Sequence, residues 1–186
     1  MNSLVILDHA HEPLYRVVRS GAPDPLDVSH SQRRGGGYRW STPDFPALYC
    51  CCSEWVARAV TLEKFRFAGV ELSDLQIEVR PQLAEISWSG RVVDVTSPEG
   101  VAAAGFPPHY PDGVRKEQTR RAATEWHSTG EVGVAFRSAA LQRRGFSHWA
   151  GPHQRWSEVA IFVSNCPQQA PKLLRRREDL KWLAGS

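Results

Sequence analysis

The chain has 186 residues, 41% of them hydrophobic and 23% charged, with a formal net charge of +3. That balance excludes a disordered or fibrous chain, and the length suits one well-buried domain rather than two. No apolar run approaches the ~20 residues that span a bilayer, and the start MNSLVILDHAHE lacks the basic region and long apolar core of a signal peptide, so a cytoplasmic location without a membrane partner is expected.

Residues 1–13 read as an N-terminal arm with a strand over 4–7. LYRVV, 14–18, is rich in β-branched and aromatic residues and predicts a second strand. Prolines, aspartates and then Gly35, Gly36 and Gly37 make 20–37 a loop, followed by a strand over 47–51. Ser53 opens a helix to about Phe67, which stops before Gly69. Strands are expected over 75–79, 83–88 and 92–95. A proline- and glycine-rich loop spans 98–113, and a helix covers 114–127. Strands follow over 132–137 and 158–163, and 172–183 reads as a basic amphipathic helix within a C-terminal tail, 166–186. Strands and helices mix without regular βαβ alternation, so the class is α+β, a single domain. Neither GxGxxG nor GxxxxGK[ST] occurs, which argues against a Rossmann or P-loop nucleotide site.

On the helix after Ser53, the residues Val56, Val60, Glu63 and Phe67 share one face, which should meet the core. A carboxylate there either snorkels out at the helix end or has a task, because burying it unpaired is expensive. Glu54 lines up instead with Arg58 one turn on and reads as half of a solvated surface pair. Alternation puts Leu14, Arg16 and Val18 on one strand face, so Arg16 either snorkels at an edge or reaches an anion, for which a guanidinium is well suited. GGGYRW, 35–40, offers Arg39 between two aromatics, as a plain loop, a phosphate cradle or a stacking platform. Ser138 ends the strand GVAFRSA without the elbow of a hydrolase nucleophile. The cationic residues are scattered among acids, so no direct nucleic-acid partner is expected. Cys50, Cys51, Cys52 and Cys166 lack zinc-site spacing, and His9 with His11 lacks a partner cluster, so no metal is expected.

In order along the chain, LYRVV (14–18), GGGYRW (35–40), PALY (46–49), SEWVARAVTLE (53–63), QTRRAATEWHSTGEVGVAFRSA (118–139) and WSEVAIF (156–162) resemble the RES domain, the toxin half of RES–Xre toxin–antitoxin pairs. Two departures stand out: Tyr38 is inserted in the GGRW element, and Glu63 lies one helical turn beyond the family position, which falls on Val60. The resemblance assigns 14–165 to the domain and implies an ADP-ribosyltransferase-like fold with a bent, split mixed sheet and flanking helices. It implies NAD as substrate, cleaved at the nicotinamide–ribose bond by hydrolysis or phosphorolysis. ADP-ribosyl transfer to a protein and a non-catalytic binding module are the alternatives. Carried over, Arg16 and Arg39 would hold the phosphates or ribose, Tyr49 the nicotinamide end and Glu63 the nicotinamide ribose, while Ser138 orients substrate. An Xre-type antitoxin is the implied partner; oligomeric state is not legible.

Overall fold

The computed structural model describes residues 3–9, 13–29, 38–147 and 152–184. Its strands are β1 (Ile6–His9), β2 (Leu14–Arg19), β3 (Ala47–Cys51), β4 (Pro81–Ser87), β5 (Gly90–Val95), β6 (Gly133–Arg137), β7 (Ser157–Phe162) and β8 (Lys172–Arg177). They form one 8-stranded sheet in the order β1-β5-β6-β7-β3-β2-β4-β8. Only the β5–β6 neighbours are parallel, so the sheet is mixed and the α+β class stands. The helices are α1 (Glu54–Ala68), α2 (Pro98–Ala103), α3 (Lys116–Ser128), α4 (Ala139–Arg143) and α5 (Lys181–Ala184).

Strand alternation sorts the core into layers. Val93, Val95, Val134, Phe136, Ala160 and Phe162 face one cluster with Trp40 and Trp126, while Val92, Ala135, Val159 and Ile161 face the other with Leu14, Leu48 and Trp88. Trp40 is fully buried and stacks on Trp126 at 5.7 Å, which fixes the chain entering β3. A third cluster joins α1, through Val56 and Ala59, to Leu83 of β4 and Trp182 of α5.

Helix α1 begins and ends where local chemistry dictates. The Ser53 hydroxyl accepts the Val56 N–H at 3.3 Å, and Gly69 stops the helix at φ 62°, a conformation that favours glycine.

Several expectations are corrected. The first strand is Ile6–His9 rather than 4–7, in register with β5. Residues 75–79 form no strand: Ile77–Val79 is a 3-10 turn whose Ile77 is 68% exposed, and its neighbours Glu78 and Arg80 accept N–H bonds from Gly21 and Ser20. The segment 98–113 is not all loop, because Ser97 caps the short α2 with Pro98 in its first turn. The expected helix over 172–183 is strand β8 followed by the single turn α5. The open edge of β4 decides this: Arg175 meets Glu85 across the ladder at 2.8 Å, a pairing that a lone helix could not offer. Glu54 pairs with Arg177 at 2.6 Å, not with Arg58, whose guanidinium bonds the Ala184 carbonyl instead. Helix α4 was not anticipated.

Candidate functional site

Strands β2 and β3 are sheet neighbours that pair at one position, Tyr15 with Cys51. Beyond it β2 ladders only with β4 and β3 only with β7. The sheet is therefore split along this seam, and a cavity of about 560 Å³ opens there. Its size falls within the range of small-molecule sites. Arg16 and Val17 line it from β2, Tyr49 and Cys50 from β3, and Phe136 and Glu158 from β6 and β7.

The face of α1 expected to meet the core divides. Val56 is fully buried, but Val60, Glu63, Lys64 and Phe67 line the cleft, and Phe67 is 69% exposed. Glu63 is 3% exposed because two arginines cover it. Arg66 grips both carboxylate oxygens, at 3.0 and 3.1 Å, and Arg143 of α4 donates to one at 2.8 Å. Hydrogen bonds from Arg66 and then Arg143 hold the carboxyl below its ordinary range against the desolvation that would raise it. Glu63 thus neither snorkels into water nor stands unpaired.

Arg16 lies in the cleft wall with one guanidinium nitrogen on the Asp27 carbonyl at 2.9 Å. Its other terminal nitrogen, Nη1, is buried with no hydrogen-bond partner among the described residues. Burial pushes the guanidinium pKa down, the signature of a cation short of an anion. Arg39 approaches the Val114 carbonyl only at 3.4 Å, and the Arg120 Nε–H holds the preceding carbonyl of Tyr38 at 3.1 Å. Tyr49 accepts the Trp40 N–H at 2.7 Å and stacks on Tyr38 with centroids 4.9 Å apart, so it both ties the 38–41 strap and offers an aromatic wall. Burial raises its phenol pKa and keeps it neutral. Arg137 is 3% exposed and gives its donors to the carbonyls of Thr96, Pro108 and Tyr110, which makes it a scaffold for the loop above the cleft.

Arg16, Arg39, Tyr49 and Glu63 are therefore brought to one cavity, whereas Ser138 does not line it. Ser138 is fully buried at the start of α4, and its hydroxyl lies near Glu158 without a hydrogen-bond partner among the described residues. Glu158 was missed by the sequence reading. It sits on β7 opposite both Phe136 and Cys51, and it lines the cleft floor. Burial raises its pKa, opposed by the Ser138 hydroxyl and then by Lys64, Arg39 and Arg143. The available signal was its alternation with Ala160 and Phe162, a carboxylate in phase with buried apolar residues. Glu63 and Glu158 thus have their proton affinities pushed apart, an arrangement that suits distinct roles for two carboxylates. Around them the lining holds Arg16, Arg39, Lys64, Lys116, Arg137 and Arg143, a strongly cationic wall. Gly35, Gly36 and Gly37 of the GGGYRW segment lie outside the described residues.

The RES domain family model matches residues 13–182. No curated protein matches the chain significantly. Among solved structures, the chain is similar to one from the crystal structure of the M. tuberculosis MbcT–MbcA toxin–antitoxin complex, with a TM-score of 0.72 at 18% identity, covering 98% of this chain and 92% of that one.

Proposed function

The chain belongs to the RES-domain family, and from that premise we propose that it breaks the nicotinamide–ribose bond of NAD and passes the ADP-ribosyl group to water or phosphate. The observation that carries this reading is the buried, unpartnered Nη1 of Arg16 in a cationic cleft that also presents two carboxylates of opposite proton affinity.

Arg16 and Arg39 would take the pyrophosphate, so that binding remote from the reacting bond positions it. Tyr38 and Tyr49 present a stacked aromatic wall for the nicotinamide ring. Nicotinamide is cationic in the substrate and leaves with the bonding electron pair, so neither a metal nor an acid is needed to expel it. The ribose left behind is oxocarbenium-like, and an ionised Glu63 at its hydroxyls stabilises the positive charge. Arg143, with a side chain 44% exposed, is the partner that can yield a Glu63 oxygen to the ribose. Water or phosphate then attacks the anomeric carbon. When water is the acceptor its proton passes to Glu158, whose raised pKa suits a base. Ser138 stands near Glu158 but outside the cavity lining, and does not touch substrate directly.

The likeness to a chain of a toxin–antitoxin complex supports a growth-inhibiting role, with an antitoxin, of Xre type as the family implies, as protein partner. The deciding experiment is incubation of purified protein with NAD, with and without phosphate, with products resolved by chromatography. Nicotinamide release establishes the reaction, and ADP-ribose or its phosphate identifies the acceptor. Label appearing on protein would reassign the acceptor to a side chain, and no NAD loss with no labelled protein would overturn the proposal.

A further inference from the structure

A second cluster of reactive side chains lies away from the cleft. His9 ends β1, Cys52 directly follows β3, and His153 opens the 3-10 turn His153–Arg155 ahead of β7. These come from chain segments more than 40 and 100 residues apart in sequence, yet one nitrogen of each imidazole and the thiol sulfur all lie within 4.8 Å of one another. All three are buried, at 2%, 3% and 9% exposure, and none lines the cleft.

We propose that His9, Cys52 and His153 bind one zinc ion. Two imidazoles and a thiolate form a borderline-soft donor set that favours a d-block ion over magnesium or calcium. Tetrahedral zinc, with bonds of about 2.0–2.1 Å to nitrogen and about 2.3 Å to sulfur, places its ligand atoms roughly 3.3–3.6 Å apart. At the 4.8 Å limit the cluster needs to contract by about 1.2–1.5 Å to reach that spacing, a change that side-chain rotation would have to supply. His153 adds an independent sign: its Nε2 is buried with no hydrogen-bond partner among the described residues, an expensive state that a bond to metal relieves.

The surroundings hold the ligands in place. The Cys52 N–H donates to the Ser157 carbonyl at 3.0 Å, and the Ser157 hydroxyl donates to the His153 carbonyl at 2.6 Å, so two ligands are joined through one residue. Trp88 stacks on the His9 ring at 6.0 Å and closes the site from the apolar side. On binding, the Cys52 thiol releases its proton to solvent and each imidazole coordinates in its neutral form. Water fills the fourth position. The ion ties the N-terminal segment to the end of β3 and the start of β7, and its role is structural.

The test needs no NAD. Full-length protein stripped with chelator and refilled with zinc should hold about one ion per chain and melt at a higher temperature than the stripped form. Titration of the stripped protein with cobalt(II) alone should give tetrahedral d–d bands and a thiolate-to-cobalt charge-transfer band. Cys52→Ser should lose the charge-transfer band, and Cys166→Ser should keep it. Stripped wild-type protein that is folded but takes up neither ion overturns the proposal, as does a thiolate band that survives Cys52→Ser. Should Cys52→Ser not fold, the wild-type cobalt spectrum decides alone: the absence of a thiolate band overturns the site.

Discussion

The Nε of Arg143 stands 2.8 Å from a carboxylate oxygen of Glu63, so helix α4 is fastened to helix α1 across the mouth of the cleft. The bond holds Glu63 ionised in the position where the proposed chemistry needs a negative charge. It also sets how readily that charge can be handed to a substrate.

Arg143→Ala should therefore raise the Glu63 pKa from its depressed value toward the ordinary carboxylate range. A carboxyl with a lowered folded-state pKa supports the fold above its unfolded value of about 4.3 and loses that support as pH falls through the folded value. The acid limb of NAD turnover should accordingly move to higher pH in the variant. An acid limb identical to wild type would mean that Glu63 does not govern it. Glu63→Gln should lower turnover by about 10²–10³-fold, the range for a lost transition-state charge, with the circular dichroism spectrum unchanged.

Glu158 has the opposite sign. Its folded-state pKa is raised, so the folded protein holds a proton that the unfolded chain releases, and stability falls as pH rises through that window. Glu158→Gln should melt higher than wild type at pH 8, and the difference should vanish near pH 4. Turnover should fall at the same time. A variant that melts lower than wild type at pH 8 would show that this partly buried carboxylate is well compensated.

Arg16→Lys keeps the charge but loses the planar fork, and a lysine cannot supply both the Asp27 carbonyl bond and a paired grip on phosphate. The KM for NAD should rise by about tenfold or more, and Arg16→Ala should abolish measurable consumption. Steady-state kinetics on the two variants test this. A normal KM in the lysine variant would remove Arg16 from phosphate binding.

Tyr49→Phe keeps the aromatic wall and strips the oxygen that accepts the Trp40 N–H at 2.7 Å. Leaving that N–H unsatisfied should cost about 1–3 kcal/mol in chemical denaturation. An unchanged denaturation midpoint would show that another acceptor replaces the phenol.

What could be read in advance was what neighbours in sequence decide. The limits of α1 follow from Ser53 and Gly69, and β3 appears at 47–51 because its apolar run lies between turn signals. Strand β8 was misread because KLLRRR carries no clear period of its own. Glu85, almost 90 residues earlier, supplies the partner that makes it a strand. Glu54 was assigned to Arg58 by helical spacing, and Arg177 took it from across the fold. The convergence of Arg16, Arg39, Tyr49 and Glu63 followed from family resemblance alone, since no local pattern reveals that two adjacent strands stop pairing after one position. His9 and Cys52 were set aside because metal-site spacing was sought within one segment, whereas the cluster is assembled from three.

The single pairing between β2 and β3 also has a mechanical meaning. Five strands lie to one side of it and three to the other, and helix α1 packs against both strands that flank it. Rocking of the two plates relative to each other would give up one ladder position and leave every other strand pairing intact. A ligand that fills the gap would work against this compliance as a wedge between plates, and α1 would act as the spring that sets the resting aperture. Amide protons at Tyr15 and Cys51 are the natural strain gauge: their exchange should report opening of the seam long before the rest of the sheet responds.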